Sequence, residues 1–166
     1  MPVIERTVDI QAPIGRVFAF ATDARNHSLV APPETKERLL DPGDNPLRLG
    51  SIVRFSARFG LVRWTLSSRI TAFIAPDPAK PVYATFQDQQ VRGPFSVWIH
   101  DHIYEATAAS TTRVTDRFTY SAPLGPLGWI ADQLWLTSTL SRFMEYFQEA
   151  EKRILEMEVN KVTGPQ

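Results

Sequence analysis

The sequence predicts an α+β domain in which a curved sheet of seven antiparallel strands wraps around one long C-terminal helix. Alternation of apolar and polar residues marks a strand at the N-terminus and then, almost continuously, from Glu34 to Pro123. Short turn signals separate these runs and join neighbours as an antiparallel meander. After Pro126 the apolar residues change to helical spacing. One helix cannot cover a flat seven-stranded sheet, so the sheet must curl, and a curled sheet over a single helix leaves a hollow.

The elements follow in order. "VIERTVDI" sets Ile4, Arg6, Val8 and Ile10 against Val3, Glu5, Thr7 and Asp9, the pattern of a half-buried strand. "QAP" breaks it. "IGRVFAFATDARN" places Val17, Phe18 and Ala21 at helical spacing behind Pro13, and Pro32 and Pro33 end this helical region of two short helices. "TKERLLD" runs into the dense turn "PGDNP". "SIVRFSARFG" carries Val53, Phe55, Ala57 and Phe59 on one face, and "LVRWTLSSRITAFI" carries Val62, Trp64 and Leu66. "PVYATFQDQQ", "SVWIHDHIYEA" and "TRVTDRFTYSAP" complete the strands. Behind "PLGPLG", the residues Leu127, Ile130, Leu134, Leu140, Phe143, Phe147, Ile154 and Leu155 form the apolar stripe of the long helix. One domain over residues 1–159 is expected, with 160–166 as a flexible tail.

Bulk composition excludes several classes. Eighteen basic residues balance eighteen acidic ones, so no global field points to nucleic acid or an anionic membrane. The absence of cysteine removes disulfides, thiolate nucleophiles and cysteine-ligated metal clusters. No apolar run approaches the ~20 residues of a membrane span, and the charged N-terminus is no signal peptide. A soluble, cytoplasmic protein without integral membrane association is expected, as a monomer or weak dimer.

The stretch Ser96–Ala106 is the most informative. Trp98, His100, His102 and Tyr104 share one face of its strand. A hairpin centred near Ala109 sets Tyr104 opposite Val114, His102 opposite Asp116, His100 opposite Phe118 and Trp98 opposite Tyr120. The turn at Gly93-Pro94 brings Phe86, Asp88 and Gln90 to the same face, with Asp88 beside Trp98 and His100. The other face carries Gln87, Gln89, Asp101, Glu105, Arg113, Thr115 and Arg117 and is the wet one. His100, His102, Asp88 and Asp116 therefore point inward, where an unpaired charge costs several kcal/mol. Four readings are open: a hydrogen-bonded lattice locking register, a polar patch facing a ligand, a two-His, two-Asp metal site, or a general acid–base pair.

These residues resemble the SRPBCC superfamily, which includes the START domains, and within it the bacterial ligand-binding branch similar to polyketide cyclases and dehydrases. Its pattern falls on Phe86, Asp88, Gln90, Gly93, Pro94 and Phe95, on Trp98, His100, His102 and Tyr104, and on Thr112, Asp116 and Tyr120. It continues through Pro123, Gly125, Leu127 and Gly128. The resemblance implies a helix-grip fold with an internal hydrophobic cavity. Two departures stand out: Tyr104 replaces the usual phenylalanine, and Tyr146 is followed by Phe147 where many relatives have tyrosine–arginine.

The function expected is binding or transport of a small hydrophobic or amphipathic ligand: a lipid, isoprenoid, quinone or aromatic metabolite. Phe55, Phe59, Trp64, Phe86, Phe118, Leu134, Phe143 and Phe147 would form its walls, with Trp98, Tyr104 and Tyr120 beside the polar group. No cofactor or metal is assigned. The alternative is a cyclase, aromatase or dehydratase in which His100 or His102, tuned by Asp88 or Asp116, moves a proton. A protein-interaction domain is the third class. Trp129 and Trp135 near the start of the long helix would then gate or dock, although packing of one of them on the early helices is the preferred reading.

Overall fold

The computed structural model describes residues 1–59, 62–123 and 135–163. Strand β1 (Val3–Ile10) is followed by helices α1 (Ile14–Thr22) and α2 (Ala24–Val30) and a 3₁₀ turn at Pro33–Thr35. Then come β2 (Arg38–Asp41), β3 (Ile52–Phe59), β4 (Val62–Ile74), β5 (Tyr83–Arg92), β6 (Val97–Ala108) and β7 (Thr111–Ser121), and finally α3 (Thr137–Thr163). The seven strands form one sheet in the order β1-β7-β6-β5-β4-β3-β2. Every neighbouring pair is antiparallel. The expected helix-grip architecture is the one observed.

Local chemistry explains the helical opening. Pro13, extended at ψ 144°, stands at the N-cap of α1, and Ile14, Val17 and Phe18 bury one face of it. The Thr22 hydroxyl donates back to the Phe18 carbonyl at 2.8 Å where α1 stops. Asp23 then caps α2 by accepting from the Arg25 amide at 3.0 Å. Asn45 Oδ1 accepts from the Ala24 amide at 2.9 Å, and the Leu47 amide donates to the Thr22 carbonyl at 2.7 Å. The loop before β3 is thereby pinned to the α1–α2 junction.

Helix α3 has 27 residues, about 40 Å at 1.5 Å per residue, enough to cross the concave face of the sheet. Its inward residues are Leu140, Met144, Gln148, Glu151 and Leu155, all buried. Leu140 and Leu155 each contribute about 1.5–3 kcal/mol by their burial. Polar ties along β1 fix the helix: Gln148 Nε2 donates to the Arg6 carbonyl at 3.1 Å and Lys152 Nζ to the Asp9 carbonyl at 2.9 Å. The helix runs into residues 160–163, which the sequence had placed in the tail; 164–166 lie outside the described residues, as does the expected stripe from Leu127 to Leu134. Among the described residues no helix is long and apolar enough to cross a membrane.

The apolar interior is divided. One cluster gathers Ile10, Val17, Phe18, Val53, Ile70, Phe86, Tyr104 and Leu155. A second gathers Ile4, Phe95, Phe118, Tyr120, Leu136, Leu140 and Met144. His100, His102, Asp88, Asp116 and Gln148 belong to neither.

Candidate functional site

Between sheet and helix lies a cavity of about 150 Å³. Its aromatic walls are Phe55, Trp64, Phe86, Phe95, Trp98, Tyr104, Phe118, Phe143 and Phe147, with Phe20 from α1. A space of this size admits a small ring compound, and its polar residues can hold water when no guest is bound. Phe95 is set by its own turn: Gln90 Nε2 donates to the Phe95 carbonyl at 2.6 Å, and Gln90 Oε1 accepts from the Phe95 amide at 3.3 Å. The Phe95 ring then stands 5.8 Å from Trp64 and 4.7 Å from Trp98.

The polar floor comes from three consecutive strands. The pairing of β6 with β7 sets His102 opposite Asp116, His100 opposite Phe118 and Trp98 opposite Tyr120. The pairing of β5 with β6 sets Asp88 opposite His100 and Phe86 opposite His102. This is the register expected from the turns. Asp116 Oδ1 lies 2.9 Å from His102 Nδ1 and 3.1 Å from His100 Nε2. Asp88 Oδ2 lies 3.4 Å from His102 Nε2 and 3.8 Å from His100 Nδ1. Gln148 Nε2 on α3 donates to Asp116 Oδ2 at 2.6 Å. The two imidazoles lie 3.8 Å apart, and His102 stacks on Phe86 at 4.1 Å, so neighbouring rings fix their orientation.

Burial and pairing oppose one another here. Burial alone would push Asp116 and Asp88 up; hydrogen bonds and charge from the imidazoles win and hold both below the usual carboxylate range. Burial would push His102 down, but its contacts to Asp116 and Asp88 raise it to about 9. Glu151 behaves oppositely: burial, then the charge of Asp116, pushes it up to about 8. It lines the cavity, and its Oε1 has no hydrogen-bond partner among the described residues. Burial likewise raises the Tyr104 phenol well above its ordinary value.

Of the residues expected at a ligand site, Phe55, Trp64, Phe86, Asp88, Trp98, His100, His102, Tyr104, Asp116, Phe118, Phe143 and Phe147 all line this cavity. Tyr120 does not. Its ring, fully buried, packs 5.6 Å from Phe118 and 6.1 Å from Phe95, and its hydroxyl is 2.7 Å from Thr137 Oγ1. The alternation that turns it inward does not carry it past Phe95 to the void. Leu134 and the Phe59 side chain lie outside the described residues, as does Trp129. Trp135 is 47% exposed.

The sequence reading also omitted part of the lining. His27 on α2 and Glu37 before β2 meet at 2.7 Å between Nδ1 and Oε1, and Ser28 Oγ donates to the same oxygen at 3.1 Å. His27 packs 4.4 Å from Phe55 and 4.9 Å from Phe147. Gln148 and Glu151 were detectable as two polar residues inside an apolar helical stripe.

Residues 1–156 match the family described as "Polyketide cyclase / dehydrase and lipid transport". The chain belongs to this family. Among curated proteins none matches the sequence. Similar solved structures include the protein TTHA0849 from Thermus thermophilus, at TM-score 0.71 and 14% identity over 92% of this chain and 95% of that one. A START superfamily protein from Mycobacterium smegmatis gives 0.65 and 16%, covering 97% and 99%. The Zhui aromatase/cyclase from Streptomyces sp. R1128 gives 0.57 and 19%, covering 92% and 95%. At these identities the likeness is one of fold.

Proposed function

We propose that the protein binds a small, largely apolar and uncharged ligand, of aromatic or quinone type, in the cavity between sheet and helix. One observation carries this reading. The aromatic walls enclose Asp88, Asp116, Glu37 and Glu151, whereas no lysine or arginine is among the described lining residues. A pocket that is mainly apolar with a few placed polar groups suits such a ligand. An anionic headgroup would meet carboxylates with only imidazoles to offset them, which argues against fatty acids. Phe147 is part of that wall.

The test is native mass spectrometry of freshly purified, chelator-treated protein, followed by thermal shift with neutral quinones and phenols beside fatty acids of similar size. A ligand at 100 times its dissociation constant stabilises by about 2.7 kcal/mol. Neutral ring compounds should raise the melting temperature and fatty acids should not. Stabilisation by fatty acids alone would overturn the reading.

A second reading, acid–base chemistry of the cyclase or dehydratase kind, is favoured by Glu151. A buried carboxyl with an unpartnered oxygen on a cavity wall is placed to give a proton to a bound carbonyl or hydroxyl.

A further inference from the structure

The deep polar group is arranged for more than a lattice. His100 and His102 are two apart on one strand, and each has one ring nitrogen near Asp116 and the other near Asp88. We propose that Asp88 Oδ2, His102 Nε2 and His100 Nδ1 form a three-ligand site for a divalent transition-metal ion, with Asp116 as the carboxylate that orients both imidazoles.

Donor chemistry, spacing and the outer contacts agree. Two imidazoles and one carboxylate suit zinc, cobalt(II) or iron(II), and leave further coordination positions for water or a ligand. Ligand atoms bound at about 2.0–2.2 Å with angles between octahedral and tetrahedral stand about 2.8–3.6 Å apart. Asp88 Oδ2 is 3.4 Å from His102 Nε2 and 3.8 Å from His100 Nδ1. One donor atom from each of Asp88, His100 and His102 lies within 4.8 Å of the other two, so modest side-chain rotation closes the triad.

The second, independent observation is Asp116. Metal-bound histidines almost always give their far N–H to a carboxylate or carbonyl. Asp116 Oδ1 stands 2.9 Å from His102 Nδ1 and 3.1 Å from His100 Nε2, while its other oxygen is held at 2.6 Å by Gln148. All three ligands line the cavity, so a bound ion would face the guest. Because the ligand test uses metal-free protein, either proposal can fail while the other stands.

The probe is cobalt(II) alone, titrated into untagged, chelator-treated protein. One equivalent should bind and give visible absorption bands. Asp88→Asn and His100→Ala, checked by near-ultraviolet circular dichroism, should abolish them. Should either variant fail to fold, wild-type protein decides by proton NMR. Cobalt should give two hyperfine-shifted exchangeable signals, one from His102 Nδ1–H and one from His100 Nε2–H, both protected by Asp116. No stoichiometric binding, binding that persists in a folded Asp88→Asn variant, or absence of the two signals overturns the site.

Discussion

The cavity has two polar groups, and they are built differently. Asp88, His100, His102 and Asp116 stand on β5, β6 and β7, where backbone ladders on both sides of β6 fix each side chain against its neighbours. Their side chains are only 4–17% exposed. His27 and Glu37 stand on a seven-residue helix and on the segment leading to β2, and their side chains are 34% and 5% exposed. The deep group is over-determined: each imidazole touches both carboxylates, and one carboxylate is also gripped by α3. The outer pair is a single contact steadied by Ser28 and two aromatic rings. Rigid ladders suit a fixed recognition floor, and a short helix suits the part that adjusts to a guest.

The largest effect expected from this contrast is on stability. Asp116→Ala removes the acceptor facing both imidazoles and Gln148 and leaves buried charge uncompensated, at a cost of about 3–5 kcal/mol. Glu37→Gln keeps shape and an acceptor oxygen, and should cost about 1 kcal/mol. Urea denaturation of both variants measures the gap. Equal losses would mean that the outer pair is as firmly framed as the deep one.

The same contrast explains what could be read before the structure. The deep group was legible because antiparallel pairing about two tight turns converts sequence position into spatial opposition, and residues of like parity share a face. Trp98, His100 and His102 needed nothing else. The His27–Glu37 pair crosses Pro32 and Pro33, the 3₁₀ turn and Lys36 in the left-handed region at φ 45°, so no period links the two residues. Their meeting depends on how α2 packs. Gln148 and Glu151 fall between these cases. Their helical spacing was visible, but a stripe defined by apolar residues passes over polar ones on the same face.

Glu151 gives the next effect, and its sign differs from that of the paired carboxylates. An acid raised in the folded state from 4.5 to about 8 holds its proton more tightly there than when unfolded. Between those values the native chain carries more protons, so stability falls as pH rises through the window and levels off above about 8. One pKa unit corresponds to 1.36 kcal/mol, so the whole window is worth a few kcal/mol. Glu151→Gln, uncharged throughout, should gain on the wild type steadily from pH 5 to 8. Denaturation curves of both proteins at successive pH values, in chelator, give that difference directly. Parallel profiles would show that the carboxyl is solvated or paired.

The smallest effect probes the outer pair through its helix. Asp23 caps α2, which carries His27, and also accepts from Arg25 Nε at 2.8 Å; that contact holds its carboxyl down at about 2. Asp23→Ala should cost about 1 kcal/mol at neutral pH, the usual value of a lost cap. A depressed acid stabilises above its unfolded pKa of 3.8 and loses that contribution as pH falls towards 2, so wild type and variant should converge there. Amide exchange adds the spatial test. Residues 24–30 should lose protection in the variant while the β6 amides keep theirs, because the ladders of the deep group do not depend on α2. If protection fell on β6 as well, the two polar groups would be one mechanical unit, and the division between fixed floor and adjustable rim would not hold.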